Sequence, residues 1–221
     1  MKKVKLLSCK TMMEEVETKR PQEIPVEYVE YALHRTPEKL REELQKCIDV
    51  EDEAEILIFI YGHCSRGLEG LRARDKTLVI PRVDECISLL LGSREKYEQE
   101  FREEPGTYYL SKGWIDQKGD PLQEHHEYTK KYGEENARWI TREMYKNYKR
   151  IAFIDTNLPG IEEYEEYAKK VARFLNLDFA RIQGTNDFFE KLIGKDWDKN
   201  CIVVFPGEES KYRDFHFIKH D

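Results

Sequence analysis

Features typical of membrane, nucleic-acid-binding and nucleotide-binding proteins are missing from this sequence of 221 residues. No apolar run approaches the roughly 20 residues that a membrane helix needs. The net charge is −7 with acids and bases interspersed, so no basic stripe is offered to phosphates, and nucleic acid is not an expected partner. Neither a GxGxxG after the first strand nor a GxxxxGK followed by Ser or Thr occurs, which argues against a standard nicotinamide or ATP site.

Paired CxxC motifs are also missing, although the chain has five cysteines: Cys9, Cys47, Cys64, Cys86 and Cys201. The opening MKKVKLLSCK has only a short apolar run and is interpreted as a first strand, not a signal peptide, so the cytoplasm is the expected compartment. In a cytoplasmic chain, cysteines are expected to be thiols, metal ligands or catalytic groups before they are disulfides. Cys47 and Cys201 are assigned to the core.

Apolar runs of strand length alternate with helical patterns along most of the chain, as in KVKLLSC, EILIFIYG, TLVIP, KRIAFIDT, LDFARIQG and NCIVVFPGE. Several of these strands are apolar throughout, which predicts an α/β fold with a mainly parallel sheet and helices on both faces. Two Rossmann-like halves are an open alternative. The predicted ranges are an N-terminal α/β half (1–92), a helical insertion with an aromatic loop (93–148) and a C-terminal α/β half (149–221), packed as one body.

Three local expectations accompany this fold. IPVEYVEYALH (24–34) alternates like a second strand, with a helical turn near its end as the alternative. Thr36 and Pro37 mark the start of a helix as N-cap and first helical residue. PGTYYLSKGW (105–114) is interpreted as an aromatic loop, and the helix after TLVIP is expected to begin with Asp84 and Glu85 in its first turn.

The site prediction follows from the order of these elements. The carboxyl ends of parallel strands meet at one edge of a sheet, where sites are usually built. Cys9 ends the first predicted strand, His34 the second and Cys64 the third, while Cys86 opens the helix after the fourth. Three thiolates with a histidine or an open position suit zinc, and three thiolates also suit an iron–sulfur cluster with one open iron. Buried, purely packing cysteines are the open alternative.

Other residues have weaker patterns. Glu14 and Glu15 follow Cys9, and Glu15 is the candidate acid or base, although solvated helix charges are the favoured interpretation of both. Arg82 and Asp84 are candidates for orienting a small anionic substrate and for holding a ligand, or form a structural pair.

Two aromatic and histidine groups complete the candidates. Tyr108, Tyr109 and Trp114 are candidates for the wall of a cofactor pocket, with packing as the favoured alternative. His125 and His126 are expected at the surface.

Several motifs together resemble the uncharacterised prokaryotic family of domains of unknown function numbered sixteen thirty-eight: LSCKTMMEE, ALHRTPEKL, YGHCSRGLEGL, VIPRVDECISLLLGS, PGTYYLSKGW, AFIDTN, LIGKDWD and VVFPGE. The resemblance implies that the three cysteines form a site, and that the positions of His34, Arg82, Asp84 and the aromatic loop belong to the family pattern. Ser65 and Arg66 depart from it, where glycine and asparagine are more usual. The resemblance also implies an anaerobe's protein near corrinoid methyltransferase systems.

Three functions follow as hypotheses. The first is a metalloprotein of one-carbon or methyl metabolism that binds zinc, slightly favoured, or an iron–sulfur cluster, as an enzyme or as an accessory factor. Its expected partners are a small-molecule substrate and a corrinoid protein or methyltransferase. The second is a non-catalytic module that binds a small ligand beside structural thiols. The third is a redox enzyme with a reversible disulfide.

Overall fold

The computed structural model describes residues 2–64, 66–195, 197 and 199–215. Its strands are β1 (Val4–Cys9), β2 (Val26–Val29), β3 (Ile56–Ile60), β4 (Thr77–Pro81), β5 (Thr107–Leu110), β6 (Arg150–Asp155), β7 (Asp178–Gln183) and β8 (Cys201–Val204). Its helices are α1 (Met13–Lys19), α2 (Pro37–Val50), α3 (Ile87–Leu91), α4 (Arg94–Glu103), α5 (Lys112–Asp116), α6 (Pro121–Tyr132), α7 (Glu134–Tyr145), α8 (Ile161–Leu175), α9 (Asp187–Ile193) and α10 (Tyr212–Phe215). Within the described residues, no helix combines the length and apolarity needed to cross a bilayer.

The strands form two sheets, and the chain divides into two compact units. One unit contains Met1–Arg94 and Asn186–Asp221, and the other contains Glu95–Thr185. The first holds a five-stranded sheet of order β2-β1-β3-β4-β8, in which only β8 runs antiparallel to its neighbour. The second holds a parallel three-stranded sheet of order β5-β6-β7. The predicted α/β class with mainly parallel sheets is therefore confirmed.

The units divide the chain differently from the ranges 1–92, 93–148 and 149–221. β5 lies inside the predicted insertion, yet it pairs with β6 along four residues. The last part of the chain returns to the first unit, where β8 pairs with β4. The strand β8 corresponds to the predicted run NCIVVFPGE. The strand β5 was missed, because TYYL is too short and its surroundings are too polar for it to be distinguished from a loop.

The first unit is built from strongly apolar elements. All five residues of β3 are buried, as expected for a central parallel strand covered on both faces. In α2, Thr36 and Pro37 occupy the predicted N-cap and first helical positions, and the buried residues recur at helical spacing: Leu40, Leu44, Cys47 and Ile48. This stripe packs with Leu7, Phe59 and Ile80 in one core, so α2 covers one face of the sheet.

Three local predictions need correction. The second strand is only Val26–Val29, and His34 lies in the 3₁₀ turn Tyr31–Arg35, the alternative form for that segment. The helix after β4 begins at Ile87, so Asp84 and Glu85 lie in the loop before it. Residues 105–114 form β5 and the start of α5 instead of a loop, because aromatic residues favour a pleated, half-buried surface.

Candidate thiol site

The carboxyl edge of the five-stranded sheet carries the predicted cysteines. Cys9 is the last residue of β1, Cys64 lies four residues beyond β3, and Cys86 is the N-cap of α3 after β4. Because β1, β3 and β4 are adjacent and parallel, their carboxyl ends lie side by side. The three thiols therefore project from three neighbouring strand ends, as the order of elements predicted.

Two of the thiols are in direct contact. The Cys64 and Cys86 sulfurs are 3.7 Å apart, and the Cys86 sulfur also accepts a hydrogen bond from the Gly62 backbone N–H at 3.4 Å. Donation from the Cys64 thiol lowers the pKa of Cys86, and the Gly62 N–H adds to this in spite of burial. The same contact, together with burial, raises the pKa of Cys64. The contact between the two sulfurs therefore shifts their pKa values in opposite directions, lowering that of Cys86 and raising that of Cys64.

Gly62 explains why a buried strand ends on a glycine. A Cβ atom at Gly62 would lie 2.5 Å from the Glu85 carbonyl carbon and 2.7 Å from the Cys86 nitrogen. Only a residue without a side chain lets the two loops approach this closely. Two backbone hydrogen bonds join the loops just beyond, from His63 N–H to the Val83 oxygen and from Cys64 N–H to the Asp84 oxygen.

Cys64 sits in a strained turn that its neighbours hold in place. Its φ of 46° lies in the left-handed region that non-glycine residues seldom adopt, and Arg66 has a φ of 76°. Glu69 binds the Arg66 guanidinium through two oxygens and contacts His63 Nε2 at 2.7 Å. The His63 ring stacks on Phe215 of α10, with centroids 4.1 Å apart. Ser65 lies outside the described residues.

Cys9 is the third thiol, and its surroundings link it to the pair. Its sulfur accepts a hydrogen bond from the Thr11 hydroxyl at 3.2 Å. Burial and then the charge of Cys86 raise the pKa of Cys9 to about 12. Across the described ranges, however, no three His, Cys, Asp or Glu side chains are grouped tightly enough to form a ready metal site.

His34 belongs to the next junction of the same edge. It follows β2, the strand beside β1, and its Nδ1 donates to the Tyr31 carbonyl oxygen at 2.5 Å. This bond fixes the tautomer with the lone pair on Nε2, the form in which a histidine binds metal. His34 is half-buried and tilted against the Tyr31 ring.

The predicted acid–base residues lie in different surroundings. Glu15 is 1% exposed in α1, so the favoured interpretation of a solvated charge is wrong for it. Arg82 is half-buried after β4, and its backbone N–H donates to Asn200. The exposed Asp84 has its carboxylate 3.8 Å from Arg94. Their roles stay predictions.

The predicted pocket aromatics belong to the second unit. Tyr108 and Trp114 pack against the core of that unit, which includes Leu110 and Phe153. The Tyr108 hydroxyl donates to the Gly119 carbonyl at 3.3 Å, and the Tyr109 ring lies 6.1 Å from that of Tyr97. These contacts are packing contacts, and the cofactor role of the three side chains stays a prediction.

The structure also shows whether Cys47, Cys201 and His125 are buried. Cys47 is buried and donates to Glu27, and Cys201 is buried at the start of β8. His125 is also buried and contacts the Thr141 hydroxyl at 3.0 Å, so its expected surface position is wrong. The helix α6 packs this face against α7, which a polar sequence did not indicate.

Tyr61 is the residue of this edge that the sequence did not single out. It is the last large side chain before Gly62 and is 1% exposed. Burial raises its pKa, and the next causes are the charges of Cys9, Cys64 and Cys86. Among the described residues, its hydroxyl has no hydrogen-bond partner. A phenol at the end of the apolar run ILIFIY was the available signal.

Comparison with known proteins identifies a family whose description states no function. A family model described as "Protein of unknown function (DUF1638)" matches residues 28–193. No curated protein and no solved structure matches the chain.

Proposed function

Because the chain belongs to the DUF1638 family, whose description states no function, we propose one from its own geometry: Cys9, Cys64 and Cys86 bind one metal ion, and zinc is favoured. The observation that carries the proposal is the 3.7 Å separation of the Cys64 and Cys86 sulfurs at the carboxyl edge of the sheet. Cys9 extends the pair because it ends the adjacent strand and responds to the charge of Cys86.

The sulfur separation favours a single ion over a four-iron cluster. Two thiolates bound to one tetrahedral zinc at about 2.3 Å are about 3.8 Å apart. In a four-iron cluster each thiolate binds its own iron, so the sulfurs lie farther apart. The 3.7 Å separation of the Cys64 and Cys86 sulfurs therefore matches the edge of a zinc–thiolate tetrahedron.

The described side chains already supply part of what a thiolate site requires. Cys86 has a lowered pKa, and the Gly62 N–H donates to its sulfur, which is the outer hydrogen bond that orients a ligand. Cys9 is held by Thr11, so binding has to draw its sulfur toward the pair. The remaining position would be open or occupied by His34, whose tautomer suits a ligand.

A bound zinc would act as a Lewis acid toward a thiol or another small-molecule substrate. The role in corrinoid-linked methyl metabolism, with a corrinoid protein or methyltransferase as partner, stays a prediction because it comes from the family resemblance. Glu15, Arg82 and Asp84 are the side chains proposed to serve substrate at this edge.

Anaerobic purification followed by elemental analysis and a visible spectrum tests the proposal. We expect about one zinc per chain and no colour in the wild type. Cys64→Ser and Cys86→Ser should lose the metal, and Cys9→Ser should bind it more weakly. Cys201→Ser is the matched control, because Cys201 is buried at the same edge of the sheet. Its neighbour Ile202 packs in the core that includes Cys9, so Cys201 lies on the opposite face of the sheet.

The other outcomes select other functions. A brown protein with bound iron would select the cluster. A protein without either element, whose Cys64→Ser variant still binds a small ligand, would select the non-catalytic module.

A dithiol redox function is the second candidate, favoured by the direct contact between Cys64 and Cys86. Cys64 is half-buried and Cys86 is buried, so an incoming disulfide would meet Cys64 first. Forming the Cys64–Cys86 bond releases two protons and two electrons, and the electrons reduce the partner disulfide to two thiols. Mild oxidation with glutathione disulfide should then remove two titratable thiols per chain without metal release. Retention of all five thiols would exclude this candidate.

A further inference from the structure

The Tyr61 hydroxyl is a buried hydrogen-bonding group that the proposed thiol site has not yet used. Buried hydroxyls almost always have a partner, because an unmade hydrogen bond leaves the cost of desolvation uncompensated. Tyr61 is 1% exposed, and no described residue pairs with its hydroxyl. Among the described residues, Tyr61 is the member of the Cys9 core cluster whose buried hydroxyl has no partner.

The position of Tyr61 identifies where that group would sit. Ser8 pairs with Ile60 in the β1–β3 register, so Tyr61 lies one step beyond, opposite Cys9. Tyr61 and Cys9 also share one core cluster, against which Cys64 packs. Burial, and after it the charges of four cysteines that include Cys9, Cys64 and Cys86, raise the pKa of Tyr61. Tyr61 therefore lies beside Cys9 in the register and in the core that the cysteine edge covers.

The contacts already described involve Nε2 and the ring face of His63 and Nδ1 of His34. His63 Nε2 is bonded to Glu69, which Arg66 holds in turn, and the His63 ring is stacked on Phe215. His34 donates from Nδ1 to Tyr31. Neither contact supplies a donor to the centre of the thiol cluster, whereas a phenol O–H can supply one without adding a charge.

We propose that the Tyr61 hydroxyl donates a hydrogen bond to a small anionic ligand held beside Cys9, Cys64 and Cys86. This inference rests on the proposed metal site and assigns Tyr61 as a binding residue for the group that occupies the open coordination position. The ligand class is a small anion, including the thiolate form of a substrate. One neutral donor satisfied by one acceptor accounts for a hydroxyl that is otherwise unpaired.

Cobalt substitution tests the inference with a spectroscopic readout. The wild-type protein, Tyr61→Phe and a control, Tyr28→Phe, are loaded with cobalt and titrated with azide while the d–d bands are followed. Tyr28 is a suitable control because it lies in β2 and its hydroxyl is already bonded to Glu17. Phenylalanine keeps the ring of Tyr61, so cobalt stoichiometry and thiolate-to-cobalt charge transfer should not change.

The expected result is azide binding that is about tenfold weaker in Tyr61→Phe than in the wild type or in Tyr28→Phe, the effect of one lost hydrogen bond. Unchanged azide affinity, a wild-type cobalt site that does not bind azide, or loss of cobalt from Tyr61→Phe would overturn the inference. A wild-type protein that takes up no cobalt would overturn the metal site as well, so failure of the two proposals is distinguishable.

Discussion

The parallel strands of the two sheets end on carboxyl edges of opposite character. At the edge of the five-stranded sheet, Cys64 and Cys86 contact each other and the Tyr61 hydroxyl has no described partner. At the edge of the three-stranded sheet, Asp155 of β6 is buried and fully engaged. Its carboxylate binds the Arg181 guanidinium of β7 and accepts the Asn157 N–H at 2.8 Å.

Further hydrogen bonds at the second edge are made to the Asp155 backbone. The Asp155 carbonyl oxygen accepts from the Gly184 N–H at 2.8 Å and from the Gln183 side chain at 2.9 Å. Arg181 is itself shared with Glu165 of α8. Every strong donor and acceptor described for Asp155 is thus paired inside the unit.

The comparison contrasts an edge whose central carboxylate is fully paired with the edge at which we propose a ligand. Both edges come from parallel strands followed by helices, so topology alone does not mark the site. A buried polar group without a partner is the feature that distinguishes them, since buried polar groups are nearly always hydrogen-bonded. The thiol edge meets this criterion among the described residues and the Asp155 edge does not.

Alanine substitution of one glycine at each edge should produce the largest contrast. Gly62→Ala places a Cβ 2.5 Å from the Glu85 backbone, so the two loops must separate. We expect a loss of about 2–3 kcal/mol in the free energy of unfolding and loss of metal binding. Gly160→Ala has open space around its Cβ but a φ of 71°, and should cost about 1 kcal/mol.

Denaturant titration and metal analysis of both variants check this prediction. Metal binding should survive in Gly160→Ala. Equal stability losses, or a Gly62→Ala protein that keeps its metal, would contradict the close approach of the loops as a requirement of the site.

Arg181→Met should produce the next largest effect, confined to the second edge. The substitution leaves the buried Asp155 carboxylate with fewer partners, while the half-exposed arginine limits the energy at stake. We expect about 1–2 kcal/mol of lost stability by denaturant titration, and metal content equal to that of the wild type. A drop in bound metal would show that the two edges are not independent.

Tyr61→Phe should produce the smallest change in the free energy of unfolding, and this change should be a gain in stability instead of a loss. In metal-free protein the variant removes an unpaired buried donor, so the free energy of unfolding should rise by about 1 kcal/mol. Chemical denaturation in the presence of a chelator measures it. A loss of stability would mean that the hydroxyl has a partner in the free chain, which would weaken the case for a ligand.

The sequence was sufficient for most of the strands and for the strand ends that carry the thiols. Continuous apolar runs predicted β1, β3 and β4, and the rule that parallel strands end together placed Cys9, Cys64 and Cys86 at one edge. Thr36 and Pro37 predicted the start of α2 because their effect is local to one turn.

Features that depend on contacts between distant residues could not be predicted. β5 is stabilised by β6, more than 40 residues away, so its own four residues carried too weak a pattern. Glu15 and His125 are polar residues that tertiary packing buries, which helical periodicity did not reveal. The unpaired state of the Tyr61 hydroxyl is visible only after every neighbouring donor and acceptor has a position.

X-ray absorption at the zinc edge of the anaerobically purified wild-type protein tests the central claim most directly. The account predicts a first shell with three sulfur atoms at about 2.3 Å and one lighter ligand. A shell of nitrogen and oxygen without sulfur, or a chain that retains no metal after purification, would contradict it.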